Sequence, residues 1–323
     1  MREKELRIVF MGTPEFAVPS LDIVLGQGYR VCAVVTAPDK PSGRGLKVIP
    51  SPVKTYALEH GIKVLQPEDL SDPGFISELI ALRVNLQVVV AFRKLPREVW
   101  MLPAFGTFNL HGSLLPQFRG AAPIQWAVIH GETETGLTTF FLNDRIDQGE
   151  ILFTEKTTIG AAETAGELHD RLKVMGAGLT LRTIKAIESG DVHPEIQKIA
   201  EGTILKKAPK IFRDHCQIRW NETVDSIYNL VRGLNPAPGA FSLFVMPTGE
   251  TVSFKLLKVD KVHEQHEFTP GTIRTDNKSH LQIAALDGWV LALEIQPESK
   301  KKLNVSEYLR GYPIGEGQIV REK

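Results

Sequence analysis

Cysteine is nearly absent: Cys32 and Cys216, one in each half, are the only two among 323 residues. That excludes a disulfide framework and a cysteine-rich zinc site, and it fits a reducing compartment. Net charge is also missing, because 38 Lys and Arg residues offset 38 Asp and Glu residues. With no overall positive field, any nucleic-acid partner must be met by local basic clusters. No apolar run approaches the ~20 residues of a membrane span, and Ile8–Met11, behind the charged Met1–Arg7, is too short for a signal-peptide core. Repeats and low-complexity tracts are absent as well. The expectation is a cytoplasmic protein that uses no metal, with enough chain for two domains.

What is present in the first half is alternation of strand and helix signals. Leu6–Met11, Val31–Thr36, Ile62–Leu65, Leu86–Ala91 and Gly106–Leu110 read as strands, and Pro14–Gly26 and Pro123–His130 as helices. Leu86–Ala91 (LQVVVA) is apolar enough to be buried on both faces. Thr138–Leu142 and Ile151–Thr158 add strands, and Thr164–Glu188 reads as a long helix stopped by Gly190. Together these predict a Rossmann-like α/β domain with a doubly wound, mainly parallel sheet over residues 1–190. Residues 191–206, with Pro194 and Gly202, read as a linker. Residues 207–323 carry one helix signal, Val224–Leu234, and short strand runs at Ala240–Met246, Val252–Val259, His280–Ala285 and Trp289–Ile295. Asp287-Gly288 marks a hairpin between the last two, and the set suggests a small OB-like β-barrel.

The chemistry concentrates between Asn109 and Glu150. Strand alternation puts Asn109 and His111 on one face, and a strand ending near His111 puts both at the carboxyl edge of the sheet, where such folds bind ligands. Asp147-Gln148-Gly149 lies in a polar segment able to return a carboxylate toward the histidine. An amide N–H and an imidazolium N–H suit an oxyanion, and a carboxylate suits proton removal from an amine. Spacing alone does not single these three out from the nine histidines and many acids of the chain. Ser113 is not within a Gly-x-Ser-x-Gly elbow, and Gly12-Thr13-Pro14 is not a dinucleotide-binding turn.

The ordered series Asn109–Pro116, Arg119-Gly120-Ala121-Ala122-Pro123-Ile124, Thr135-Gly136 and Asp147-Gln148-Gly149 resembles the signature of folate-dependent formyltransferases. The resemblance covers nearly the whole chain. It implies 10-formyltetrahydrofolate as formyl donor, Asn109, His111 and Asp147 as the catalytic set, and Ser113, Leu114, Leu115 and Pro116 as the folate-contacting segment. Two further stretches resemble the branch of the family whose acceptor is methionyl initiator tRNA. One is Pro38–Lys54, with Lys40, Arg44 and Lys47 implied in contact with the tRNA acceptor end. The other is the second domain, with Ala208-Pro209-Lys210-Ile211, Ile218-Arg219-Trp220 and Ile227–Gly239. The family's Tyr-Gly-x-Ile-Leu-Pro run after the buried strand is replaced by the shorter Phe92-Arg93-Lys94-Leu95-Pro96.

Three prolines and two glycines in Asp39–Lys54 predict a segment that is neither helix nor strand; composition alone reads as a solvated loop, and the family resemblance implies a basic arm for phosphate. Lys206, Lys207 and Lys210 form a second basic group for tRNA, with salt-dependent grip. The expected partners are methionyl initiator tRNA and folate, with no membrane and a monomeric state. An amino-sugar or nucleotide formyltransferase, a formyltetrahydrofolate hydrolase and a non-catalytic nucleic-acid-binding protein remain as alternatives. The first two share the same three-residue core.

Overall fold

A computed structural model describes residues 5–42 and 47–315, with residues 41, 42, 47 and 48 given by their backbone alone. Internal contacts divide the chain into two units. The first comprises Met1–Pro123, Glu134–Thr158 and His169–Ala208; the second comprises Ile124–Thr133, Ile159–Leu168 and Pro209–Lys323.

The first unit is built on seven strands: β1 (Arg7–Gly12), β2 (Arg30–Val35), β3 (Val64–Leu65), β4 (Leu86–Val90), β5 (Thr107–His111), β6 (Glu134–Phe141) and β7 (Ile151–Thr158). Their order is β7-β6-β5-β4-β1-β2-β3. The five strands from β5 to β3 pair in parallel, and β6 and β7 extend the sheet antiparallel. Every residue of β4 is buried, as its nearly continuous apolar run requires, and the one polar member, Gln87, accepts from Thr107 Oγ1 at 2.8 Å. Each fully buried valine there contributes about 1.5–3 kcal/mol of hydrophobic stabilisation. From β1 the chain winds outward through β2 and β3, then returns to lay down β4 and β5 on the other side. The winding reverses between β1 and β4, so the crevice at the carboxyl ends of these strands is where a ligand is received.

Helices α1 (Val18–Gly26), α2 (Pro52–Glu59), α3 (Pro73–Ala81), α4 (Pro123–Ile129) and α5 (Ala165–Ser189), with a single helical turn at Arg97–Trp100, lie in this half of the chain. The Pro14 start expected for α1 is instead a short 3-10 turn, Glu15–Ala17, with the α-helix following at Val18. The side chain of Ser51 caps α2 by accepting from the Lys54 N–H at 3.1 Å, and Asp72 caps α3 by accepting from Phe75 N–H at 2.8 Å. Both helices carry proline in their first turn, where a missing N–H costs nothing.

Two segments differ from their expected irregularity. Lys40–Ser42 and Lys47–Ile49 form an antiparallel ribbon in which Pro41 opposes Val48. A two-stranded ribbon consists only of edges, so a proline fits where its absent N–H would face outward. Lys54 lies in α2, where its ammonium meets Asp39 at 2.5 Å and Gln66 Oε1 at 2.7 Å. The Lys54 ammonium, together with Gln66 Nε2, which donates to Asp39 Oδ1 at 2.8 Å, holds the Asp39 carboxyl below its usual pKa. The second segment follows Gly190: Glu195 and Ile151 exchange backbone hydrogen bonds of 2.9 and 2.7 Å, and Lys207–Ala208 pairs in parallel with Arg119–Gly120.

The second unit curls an antiparallel sheet around one core. Its strands are β8 (Ala240–Val245), β9 (Thr251–Val262), β10 (Ile273–Thr275), β11 (Leu281–Ala284), β12 (Trp289–Pro297) and β13 (Leu303–Asn304). The order is β8-β9-β12-β11-β10, with β13 added on β12. Register shifts around Lys258 in the long β9 increase its twist and help the OB-like sheet to curl. Asp287-Gly288 joins β11 to β12 as the sequence predicts, and Asp287 Oδ1 also accepts from Val224 N–H at the start of helix α6 (Val224–Gly233). The core gathers Trp220, Ile227, Val231, Phe244, Phe254 and Tyr308, the last from helix α7 (Val305–Gly311). Among the described residues, no helix is long and apolar enough to cross a membrane.

Arg232 of α6 is 8% exposed and donates to the carbonyl oxygens of Gly160 and Glu163 at 3.3 and 3.0 Å and to Asn229 Oδ1 at 2.8 Å. Arg232→Ala removes these hydrogen bonds to partly buried acceptors and should cost this unit about 1–3 kcal/mol. A lower denaturant midpoint for Trp220 fluorescence, with the first unit's transition unchanged, is the expected readout.

Candidate active site

Strand β5 ends at His111, on the crevice side of the sheet. Asn109 is half-buried two residues earlier, and no hydrogen bond among the described residues engages its side chain. His111 is 6% exposed, and its Nε2 lies 3.0 Å from the carbonyl oxygen of Phe118. A carbonyl only accepts, so Nε2 carries the proton and the neutral ring keeps its lone pair on Nδ1.

The chain turns sharply after His111 and is held by Thr138 of β6, which stands opposite His111 in the sheet. Thr138 Oγ1 donates to Ser113 carbonyl oxygen at 2.7 Å and accepts from Leu115 N–H at 3.1 Å. Ser113 is fully buried and its hydroxyl donates to Gln117 carbonyl oxygen at 2.7 Å. Its hydroxyl is therefore spent on the turn, and Leu115 is buried too. Leu114 and Pro116 keep partly exposed surface.

Asp147 sits between β6 and β7 in the left-handed region, with φ 54°. Aspartate tolerates this conformation better than most residues. Its Oδ2 accepts from Gly120 N–H at 2.8 Å. No hydrogen bond or ion pair joins His111 directly to Asp147 among the described residues. Instead both are fastened to one short stretch of backbone, His111 to the carbonyl of Phe118 and Asp147 to the N–H of Gly120.

Two glycines make this possible. Gly120 has φ 133°, and a Cβ there would lie 2.2 Å from the Ala208 carbonyl oxygen. Gly149 leaves no room either, because a Cβ would come within 1.6 Å of the Phe141 carbonyl oxygen. The glycines of the sequence signature thus mark close backbone approaches.

Arg119 and Gln197 are further residues at this site that sequence reasoning did not place there. Burial lowers the Arg119 guanidinium from its ordinary pKa, and the nearby Asp147 carboxylate opposes that shift. Its Nε and Nη2 both donate to Gln197 Oε1, at 3.2 and 2.5 Å. Arg119 stood in the quoted signature; Gln197 lay in the stretch read as a linker. The Phe92–Pro96 segment is also anchored: Arg93 donates to the carbonyl oxygens of Pro67 and Glu68 at 2.8 and 2.9 Å, and Leu95 is buried.

The proposed tRNA residues are spread along the chain. Lys40 is exposed in the ribbon, Arg44 lies outside the described residues, and Lys47 is described by its backbone alone. Lys206 is half-buried, with its N–H donated to Gln117 Oε1 at 2.9 Å; Lys207 and Lys210 are exposed. Lys210 Nζ stands 5.7 Å from the centre of the Phe212 ring. No cluster of three or more His, Cys, Asp or Glu among the described residues could hold a metal ion.

The strand end that carries His111 and the loop that carries Asp147 thus meet one backbone segment, Phe118–Gly120. The chain belongs to the formyl transferase family: the formyl transferase model matches residues 6–184, and the formyl transferase C-terminal domain model matches residues 210–313. It is 47% identical over 318 residues to the methionyl-tRNA formyltransferase of Bacteroides thetaiotaomicron, covering 98% of this chain and 99% of that one. Identity to the methionyl-tRNA formyltransferase of Phocaeicola vulgatus is 49% over 323 residues, covering 99% and 100%. The fold is shared with a solved N-formyltransferase from Helicobacter canadensis, described in complex with folinic acid and dTDP-3-aminofucose. That match has a TM-score of 0.64 at 18% identity, and covers 89% of this chain and 98% of that one.

Gly120→Ala should displace the Lys207–Ala208 ladder and with it the N–H that holds Asp147. A stability loss of about 1–3 kcal/mol is expected from the forced backbone shift, together with a fall in kcat for formyl transfer. Thermal unfolding and steady-state kinetics on the same preparation measure both.

Proposed function

We propose that this chain transfers the formyl group of 10-formyltetrahydrofolate to the amino group of methionyl initiator tRNA, in the cytoplasm and as a monomer. The observation that carries the reading is the near-half identity, end to end and through both domains, with proteins of that name.

The reaction joins the amine nitrogen to the formyl carbon and breaks that carbon's bond to the donor nitrogen. One proton leaves the amine and one returns to the donor. Asn109 suits the developing oxyanion, because its unengaged amide can donate to it. His111 presents Nδ1 from a ring already oriented by the Phe118 carbonyl, so that protonation turns this nitrogen toward the same oxyanion as a donor. Asp147 has one oxygen occupied by Gly120 N–H and a second with which to take the amine's proton. Leu114 and Pro116 offer apolar surface to the folate ring system, while Ser113 and Leu115 shape the turn. Neither step requires a metal.

The exposed Lys40, Lys207 and Lys210 and the remaining basic residues Arg44, Lys47 and Lys206 contribute grip on tRNA phosphates. Lys40 and Lys47 lie on the two strands of the ribbon, and Lys206, Lys207 and Lys210 bracket Ala208.

Formyl transfer to methionyl-tRNA, run beside amino sugars and a no-acceptor control, tests the reading. Product only with a sugar, or formate released without any amine, would overturn it. His111→Ala and Asp147→Ala should each lower kcat by about 10²–10⁴-fold with unfolding midpoints near the parent's. Asn109→Asp should lose more than its small change in size suggests, because a negative charge would face the oxyanion. Neutralising Lys206, Lys207 and Lys210 together should weaken tRNA binding and reduce the slope of log affinity against log salt by about 2. A parental slope would place the grip elsewhere.

A further inference from the structure

Gln197 uses both ends of its side-chain amide within the first unit. Nε2 donates to the carbonyl oxygens of Asp147 and Gly149, each at 2.9 Å. Oε1 receives both Nε and Nη2 of Arg119, at 3.2 and 2.5 Å. Both amide hydrogens and both lone-pair directions of the oxygen are thereby engaged. The two carbonyls it grips bracket Gln148, so the amide fixes the backbone of Asp147 at φ 54°, a conformation the turn would not hold without restraint. Arg119, in turn, immediately precedes the Gly120 whose N–H binds the Asp147 carboxylate. The loop is thus held from two sides: its carboxylate by Gly120, its carbonyls by Gln197, with Arg119 joining the two.

The Gln197 backbone is itself anchored. Two residues earlier, Glu195 pairs with Ile151 at the start of β7. Downstream, Lys206 carbonyl oxygen accepts from Phe118 N–H at 2.8 Å, and Lys207–Ala208 pairs with Arg119–Gly120. The amide is therefore presented from both flanks of the segment.

We infer that Gln197, held by Arg119, is a positioning residue for the transfer reaction: it sets the backbone of the Asp147 loop and so aims the carboxylate at the incoming amine. Charge selects glutamine here. A glutamate would satisfy Arg119 but could donate nothing to the two carbonyls and would set a carboxylate against their oxygens.

The inference rests on the proposed role of Asp147, and a double-mutant cycle separates the two. Kinetics are measured on the full chain with methionyl-tRNA and 10-formyltetrahydrofolate, under single-turnover conditions where rates are low. Gln197→Ala should lower the transfer rate on the order of 10²-fold, the scale of a small misplacement of a reacting group. KM for both substrates should stay within about 3-fold, since neither is held by this amide. In an Asp147→Asn background the same change should cost less than about 3-fold, because the group it aims is already gone. Gln197→Glu keeps the Arg119 partner and hence the fold, and should lose rate as Gln197→Ala does. If Gln197→Ala unfolds the chain, Gln197→Glu carries the cycle alone. A parental rate in Gln197→Glu, or equal losses in both backgrounds, overturns the positioning role. An Asp147→Asn enzyme as fast as the parent overturns instead the catalytic role of Asp147.

Discussion

Phe118 and Gly120 expose a carbonyl and an N–H on one short run of backbone, and the candidate site is hung from that pair. The carbonyl selects the tautomer of His111, and the N–H holds the Asp147 carboxylate. Because the two anchor points belong to one rigid segment, the spacing between imidazole and carboxylate follows from peptide geometry. It does not depend on a direct contact that substrate would have to break. The segment is in turn fixed by its ladder with Lys207–Ala208, where only a glycine at position 120 allows the approach.

Around that constraint the fold does two things. The parallel sheet delivers Asn109 and His111 to its carboxyl edge, one strand beyond the point where its winding reverses, on the side where such sheets receive ligands. The antiparallel extension then supplies Thr138 to lock the turn after His111, and the β6–β7 connection to bring Asp147 back. Hydrophobic burial fixes the strands, while the loops are held by individual side chains: Thr138, Arg93, Gln197. The division follows from what each can do, since burial is non-directional and only hydrogen bonds specify where a loop's carbonyl points.

Much of this was legible in advance. Apolar runs and strand–helix alternation announced the sheet, and the strand expected over Gly106–Leu110 runs one residue further, to His111. Helices α2 and α3 escaped notice although Ser51-Pro52 and Asp72-Pro73 are plain start signals, because their apolar faces are short and broken by charge. Pro41 and Pro50 argued against regular structure, yet a two-stranded ribbon has no inner strand for a proline to disrupt. The catalytic candidates came from a family signature, since spacing could not separate them from other histidines and acids. Gln197 left no local signal at all. Its importance lies in partners 50 and 78 residues away, and a glutamine between Pro194 and Gly202 looks like any solvated residue until the chain is folded.

The return of residues 195–208 to the first unit also sets an order of events during synthesis. The sheet can form once β7 has been made, but the ladder that fixes Gly120 waits for Ala208, and the amide that grips Asp147 waits for Gln197. A nascent chain ending near residue 190 would therefore hold every proposed catalytic side chain and still lack their registry. Competence would arrive in a single step, with the emergence of the next eighteen or so residues. Any excised catalytic fragment inherits the same requirement: its boundary belongs beyond Ala208, not at the glycine that ends the long helix.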